Sequence, residues 1–109
     1  MIVLVESDMN SFLVISGHIK ESKRREFEQT FRLASSTIAQ NCLMHNLAAD
    51  VNKDGCYHFF SLWENENAMK KFTESEEYIL VNGAFHALGF MEKSWTGIIS
   101  DAKEFQKKL

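Results

Sequence analysis

Seven consecutive residues, Tyr57-His58-Phe59-Phe60-Ser61-Leu62-Trp63, decide the fold. Aromatic residues dominate them and the run is too short for a helical stripe, so they read as a strand. Tyr57, Phe59, Ser61 and Trp63 point to one face, Phe60 and Leu62 to the other. A half-solvated antiparallel strand alternates apolar with polar, and this one does not. Both faces of its sheet are therefore expected to be covered. Just upstream, Asp50-Val-Asn-Lys-Asp-Gly55 separates this strand, taken from Cys56, from another apolar run, Asn41 to Ala49. Asp54-Gly55 is a turn signal, because glycine accepts the positive φ of a tight turn. The two strands form an antiparallel hairpin.

Working outward, Phe12–Ile19 is rich in β-branched residues, apolar on both sides, and reads as the first strand. Met1–Val5 is a preceding strand or a tail. Ser22 can cap a helix running to about Ala39, with Phe27, Phe31, Ala34 and Ile38 as its buried stripe. Its other face carries Lys23, Arg24, Arg25, Glu28 and Arg32, a solvated run. After the hairpin, Asn65 caps a short helix whose apolar side is Ala68, Met69 and Phe72. Ser75 starts another, reaching Gly89. Lys93–Ile99 is the last strand. The order βαββαβ is that of an α+β, ferredoxin-like antiparallel sheet with helices on one face. These helices cover one face only, so a second copy of the chain is expected to cover the other, as a two-fold homodimer through the sheet face.

With 109 residues, one domain over 1–109 is expected, with a core of about 11–100, an N-terminal strand or tail over 1–10 and a charged tail over 101–109. The net charge of −3 and the lack of a clustered basic run speak against nucleic acid. No apolar run approaches the roughly 18 residues of a membrane span. Two cysteines and no targeting segment suit a reducing cytoplasm.

No metal or other cofactor is expected. His18, His45, His58, His86, Cys42 and Cys56 form no close ligand pair such as C-x-x-C. In a simple hairpin register Cys42 faces Trp63 while Cys56 lies at the turn, about 20 Å away at a usual strand rise. The thiols can then share neither a zinc nor a disulfide. No phosphate loop or nucleophile elbow is present. What remains is an aromatic lining. In that register Phe59, Ser61 and Trp63 share a face with Cys42, Met44 and Asn46. Met69 and Phe72 come from the following helix and His86 from the next. Such an apolar pocket with a few polar groups suits a flat aromatic ligand. His18, His45 and His58 read as strand-surface or subunit-interface residues.

Asn41-Cys-Leu-Met-His-Asn-Leu47, the turn after Asp50, and Phe59-Phe-Ser-Leu-Trp-Glu-Asn-Glu-Asn-Ala68 together resemble the antibiotic biosynthesis monooxygenase family. The family's strand start "G-C-L-x-x-x-L" has Asn41 in place of Gly. Its "W-E-x-x-x-A" junction matches Trp63, Glu64 and Ala68, and Ile19–Phe27 resembles its first turn and helix start. The resemblance spans about residues 11–100. It implies a dimeric α+β barrel that oxygenates quinols or polyphenols, often without metal or flavin. The bound phenol loses a proton and its ring passes an electron to oxygen, while the protein excludes water and steadies the anion. Trp63 matches the cavity Trp of the anthrone-oxidising branch. That branch's Asn and Tyr are Phe59 and Met69 here, and the His positions of other relatives are Phe72 and Glu77. The haem-degrading branch's Asn, Trp and His fall at Ile15, Phe72 and Asn82.

The expected function is thus a cofactor-independent monooxygenase of a small quinol-like or polyphenolic aromatic. Trp63 and His86 would act catalytically, and Asn46, Phe59, Ser61, Met69 and Phe72 would bind substrate. The alternatives are a non-catalytic dimeric barrel holding a small hydrophobic molecule, and an isomerase of a small metabolite with an anion held near His86 or Lys70.

Overall fold

A computed structural model describes residues 9–38 and 42–99. Its elements are β1 (Ser11–Ile19), α1 (Arg24–Ser35), β2 (Cys42–Ala49), β3 (Cys56–Trp63), α2 (Glu66–Thr73), α3 (Glu76–Leu88) and β4 (Gly89–Ile98). The four strands form one antiparallel sheet in the order β2-β3-β1-β4, the ferredoxin-like arrangement, and the sheet does not close on itself.

The register explains the split of side chains seen in β3. Ser11, Leu13 and Ile15 of β1 pair with Trp63, Ser61 and Phe59, all on the helix side. There they meet Phe27, Phe31 and Ala34 of α1, Ala68, Met69 and Phe72 of α2, and Val81, Ala84 and Phe85 of α3. Phe27 centres this core, with the rings of Phe31, Tyr57 and Phe85 each 5.0 Å away. Gly17 is the position in β1 that lets α3 approach. A Cβ there would lie 2.5 Å from the Phe85 ring, closer than carbon atoms pack.

Phe12, Val14, Ser16 and His18 pair with Leu62, Phe60, His58 and Cys56 on the opposite face. Among the described residues no helix covers this face. Met44, Phe90 and Trp95 are exposed on it and Phe12, Phe60 and Leu62 half-buried. The Phe12 and Phe60 rings stack at 6.2 Å.

The hairpin turn places Gly55 at φ 82°, the left-handed conformation anticipated for Asp54-Gly55. Arg24, at the start of α1, donates two hydrogen bonds of 3.1 Å to Asp54, tying helix to turn. Asn65 and Ser75 cap as expected: Asn65 Oδ1 accepts from the Ala68 N–H and Ser75 Oγ from the Tyr78 N–H.

Several boundaries differ from the sequence reading, and β1 starts at Ser11, one residue before the expected Phe12. Ser22 does not cap α1. It lies in a 3-10 turn, Glu21–Lys23, and α1 starts at Arg24 with no side-chain cap. α1 ends at Ser35, and the expected end at Ala39 lies outside the described residues. β4 starts at Gly89, not Lys93, because the nine-residue β1 needs a partner along its whole length and Ile19 pairs with Gly89. The readings for Met1–Val5 and for the 101–109 tail also fall outside the described residues.

Candidate functional site

The residues expected to bind an aromatic substrate are mostly brought together, but as packed core. Trp63 is fully buried, and its ring stacks on Phe72 at 4.7 Å. The indole N–H donates to Ser61 Oγ at 2.9 Å, and Ser61 Oγ donates to the Leu13 carbonyl at 3.1 Å. A buried indole and a buried hydroxyl both need partners, and here each satisfies the other. Phe72 also contacts Phe59 (6.4 Å) and Tyr78 (5.5 Å), and Met69 is buried beside them in the same cluster.

Two expected site residues lie elsewhere. The pairing of β2 with β3 shifts by one residue between Cys42 and Met44. Cys42 faces Trp63 as anticipated, but beyond the shift Asn46 pairs with Phe60 instead of Phe59. A one-residue slip turns every following side chain to the other face. Asn46 therefore does not share the face of Phe59 and Ser61, and Met44, opposite Leu62, leaves it too. His86 stands exposed on α3, one step past buried Phe85. A residue is a turn of about 100° on a helix, so burying Phe85 points His86 outward. Lys70, the other anchor expected for an anion, is paired with Glu66 at 3.2 Å.

The same slip builds a site that the sequence reading missed. His45 now pairs with Ser61, and Leu47 with Phe59, on the helix side. Between them and α1 opens a groove of about 340 Å³, lined by Glu28, Phe31, Arg32, Ser35, His45, Leu47 and Phe59, and Asn46, although paired with Phe60, also lines it. Its floor is aromatic, with the Phe31 and Phe59 rings 5.2 Å apart and tilted. Its rim brings a carboxylate, a guanidinium, a hydroxyl and an imidazole to one opening. Glu28 and Arg32, read as part of a solvated run, stand one helical turn apart along it. The signal in the sequence was Leu47, the last large apolar residue of β2. Counting back from Leu47 puts His45 on the core side.

Phe59 joins the two regions. It forms the groove floor on one side and contacts Phe72, beneath Trp63, on the other. The groove can hold one small ring against phenyl faces and present its hydroxyl to charged and imidazole groups at the rim. Nearby, burial pushes the Tyr57 phenol above its ordinary value, and the charge of Glu28 adds to this. Neither thiol is a ready nucleophile, since burial raises the pKa of both Cys42 and Cys56. Among the described residues no helix is long and apolar enough to cross a membrane.

Solved structures share this fold across most of the chain. A conserved protein from Bacteroides thetaiotaomicron VPI-5482, suggested to be an oxidoreductase, superposes with a TM-score of 0.74 at 11% identity, covering 84% of this chain and 99% of its own. A proposed antibiotic biosynthesis monooxygenase from Caulobacter crescentus CB15 gives 0.72 at 15% identity, covering 86% and 91%. SnoaB, a cofactor-independent oxygenase from Streptomyces nogalater in a point-mutant form, gives 0.65 at 19% identity, covering 86% and 94%. At such identities these likenesses speak for the fold alone. No curated protein matches the chain significantly in sequence. The sequence model of one family matches residues 11–81, from the start of β1 into α3. The chain belongs to the antibiotic biosynthesis monooxygenase family.

Proposed function

We propose that the protein is a monooxygenase of a small quinol-like or polyphenolic aromatic, and that the substrate sits in the α1–β2 groove. The observation that carries this is the Phe31–Phe59 floor beneath a rim that holds both His45 and Arg32. The ring lies on the phenyl faces. His45 accepts the phenolic proton, and the Arg32 guanidinium steadies the phenolate. The electron-rich ring then reduces oxygen itself. One oxygen atom enters the ring and the other leaves as water, so quinol plus O2 yields hydroxyquinone plus water. No cofactor is required by that balance, because the substrate supplies the electrons. Trp63 and Ser61 support the floor from behind through Phe72 and Phe59.

The reading includes a homodimer that packs the open sheet faces together, which would bury Met44, Phe90 and Trp95. It also includes a cytoplasmic setting, in which the two unpaired thiols stay reduced.

Oxygen consumption by metal-free protein, with a panel of reduced quinols, tests the activity. Uptake above the no-protein control, lowered by His45→Ala, is the expected result. Uptake equal to the control across the panel overturns it. A second reading, storage of a small hydrophobic molecule without turnover, is favoured by the internal pairing of Trp63 with Ser61, which leaves that part of the lining without a free polar group. Stoichiometric binding with no oxygen uptake would select it.

A further inference from the structure

On the face opposite the groove, at the turn end of the hairpin, three side chains of different chemistry converge. One atom each of Asp50, Cys56 and His58 lie within 4.8 Å of one another. Cys56 and His58 are two apart on β3, so they share a face. Asp50 reaches them from the end of β2, its Oδ2 2.8 Å from His58 Nε2. The other imidazole nitrogen, Nδ1, lies 2.5 Å from Oγ of buried Ser16, across the pair with β1. The chain Ser16–His58–Asp50 has the order of an acyl-transfer triad. However, Ser16 is buried in mid-strand with a paired strand on each side, which closes its hydroxyl to a substrate carbonyl.

We propose that Asp50, Cys56 and His58 form a binding site for a divalent, thiolate-preferring cation such as zinc. The donor set is one carboxylate, one thiolate and one imidazole, which suits zinc and not magnesium or calcium. Zinc holds nitrogen and oxygen at about 2.0 Å and sulfur at about 2.3 Å, which sets tetrahedral ligand atoms roughly 3.3–3.8 Å apart. The present triangle reaches that by small side-chain rotations. Ser16 can serve the ring in either state: without metal Nε2–H donates to Asp50 and Ser16 Oγ–H donates to Nδ1, and with metal on Nε2 the proton moves to Nδ1, which then donates to Ser16 Oγ and keeps the ring oriented. Binding exchanges the Cys56 thiol proton for the metal, releasing one proton. In the single chain the fourth position is open on the side where Asp50 and His58 meet solvent, at the turn end of the sheet, their side chains 22% and 36% exposed. The site is separate from the groove and independent of the oxygenase reading.

Cobalt(II) titrated into the metal-free, full-length protein tests it by absorbance. The expected result is one equivalent per chain with a thiolate-to-cobalt charge-transfer band, displaced by zinc. Cys56→Ser removes the band and Cys42→Ser leaves it. Asp50→Asn and His58→Gln each weaken cobalt binding at least about tenfold, as does Ser16→Ala through loss of imidazole orientation. Asp50 and His58 are partly exposed, so those two variants report on binding even if Cys56→Ser fails to fold. Absence of the band, loss of it in Cys42→Ser, or binding indifferent to Asp50→Asn and His58→Gln overturns the proposal.

Discussion

The indole N–H of Trp63 donates to Ser61 Oγ two residues earlier on the same strand, 2.9 Å away, in the fully buried layer between sheet and helices. Side chains two apart on a strand share a face, so β3 carries its own solution to burying an indole. Ser61 passes the bond on to the Leu13 carbonyl of β1. The pair therefore belongs to the packing that supports Phe72 and Phe59, the latter being the groove floor.

Removing the hydroxyl leaves a buried donor without a partner. Ser61→Ala should cost about 1–3 kcal/mol, read as a lower urea midpoint at unchanged slope. Trp63→Phe in the same background removes the donor as well. The double variant should then lose less than the two single losses summed, because no orphaned N–H remains. Simple additivity would mean that the bond contributes nothing.

Much of the fold was legible in single residues whose effect is local. Asn65 and Ser75 cap their helices because a cap depends only on the next three residues. Gly55 turns because its own φ allows it. The two-faced greasiness of β3 predicts a sheet covered on both sides; among the described residues helices cover one side, and β3 sits inside the sheet between β2 and β1. What escaped depends on partners distant in sequence. The slip between Cys42 and Met44 is a property of the pairing with β3, and it alone moves His45 to the core side and Asn46 away from it. Gly89 read as a helix stop, yet β1 recruits it as a strand start. Cys56 and His58 are neighbours on one face of β3, but Asp50 joins them only through the hairpin, which the linear spacing does not display.

The groove gives a test that avoids the core. Ser35 is half-buried on its α1 wall, and its hydroxyl bonds only within its own helix, to the Arg32 carbonyl. Ser35→Trp should fill the groove while leaving the Phe27-centred core intact. Affinity for an aromatic ligand should fall at least about tenfold, a loss of roughly 1.4 kcal/mol, with the melting temperature within a few degrees of wild type. Calorimetric titration checks the first and thermal unfolding the second. Undiminished affinity would place the ligand elsewhere.

Asp50 sets a pH dependence in the metal-free protein. The hydrogen bond from His58, then the Asn52 and Lys53 N–H groups, lower its pKa from the usual carboxylate range to about 2. A carboxyl depressed by folding contributes stability above its unfolded value, near 4, and loses it as pH falls toward about 2. Asp50→Asn should therefore be less stable than wild type at neutral pH, and the gap should narrow between about pH 4 and 2. Urea unfolding across that range measures it. A gap independent of pH would show that the carboxylate is not what holds the turn.

The open face of the sheet provides the remaining test. Met44 is 46% exposed and Trp95 37% exposed, so neither is needed by the core of its own chain. They lie on strands at opposite edges, β2 and β4, so together they span the face that the proposed dimer would bury. A carboxylate at either position meets water in a monomer at little cost, whereas burial without a partner is costly. Met44→Glu with Trp95→Glu should thus shift sedimentation at micromolar concentration from dimer to monomer while far-ultraviolet circular dichroism stays unchanged. Lys93 lies over the Trp95 ring, its Nζ 5.0 Å from the centroid, and offers a control. Lys93→Gln removes the cation without adding charge to the face and should leave the dimer whole. Wild-type protein that sediments as a monomer would remove the face-to-face arrangement altogether. A dimer that survives both glutamates would assign the contact to another surface.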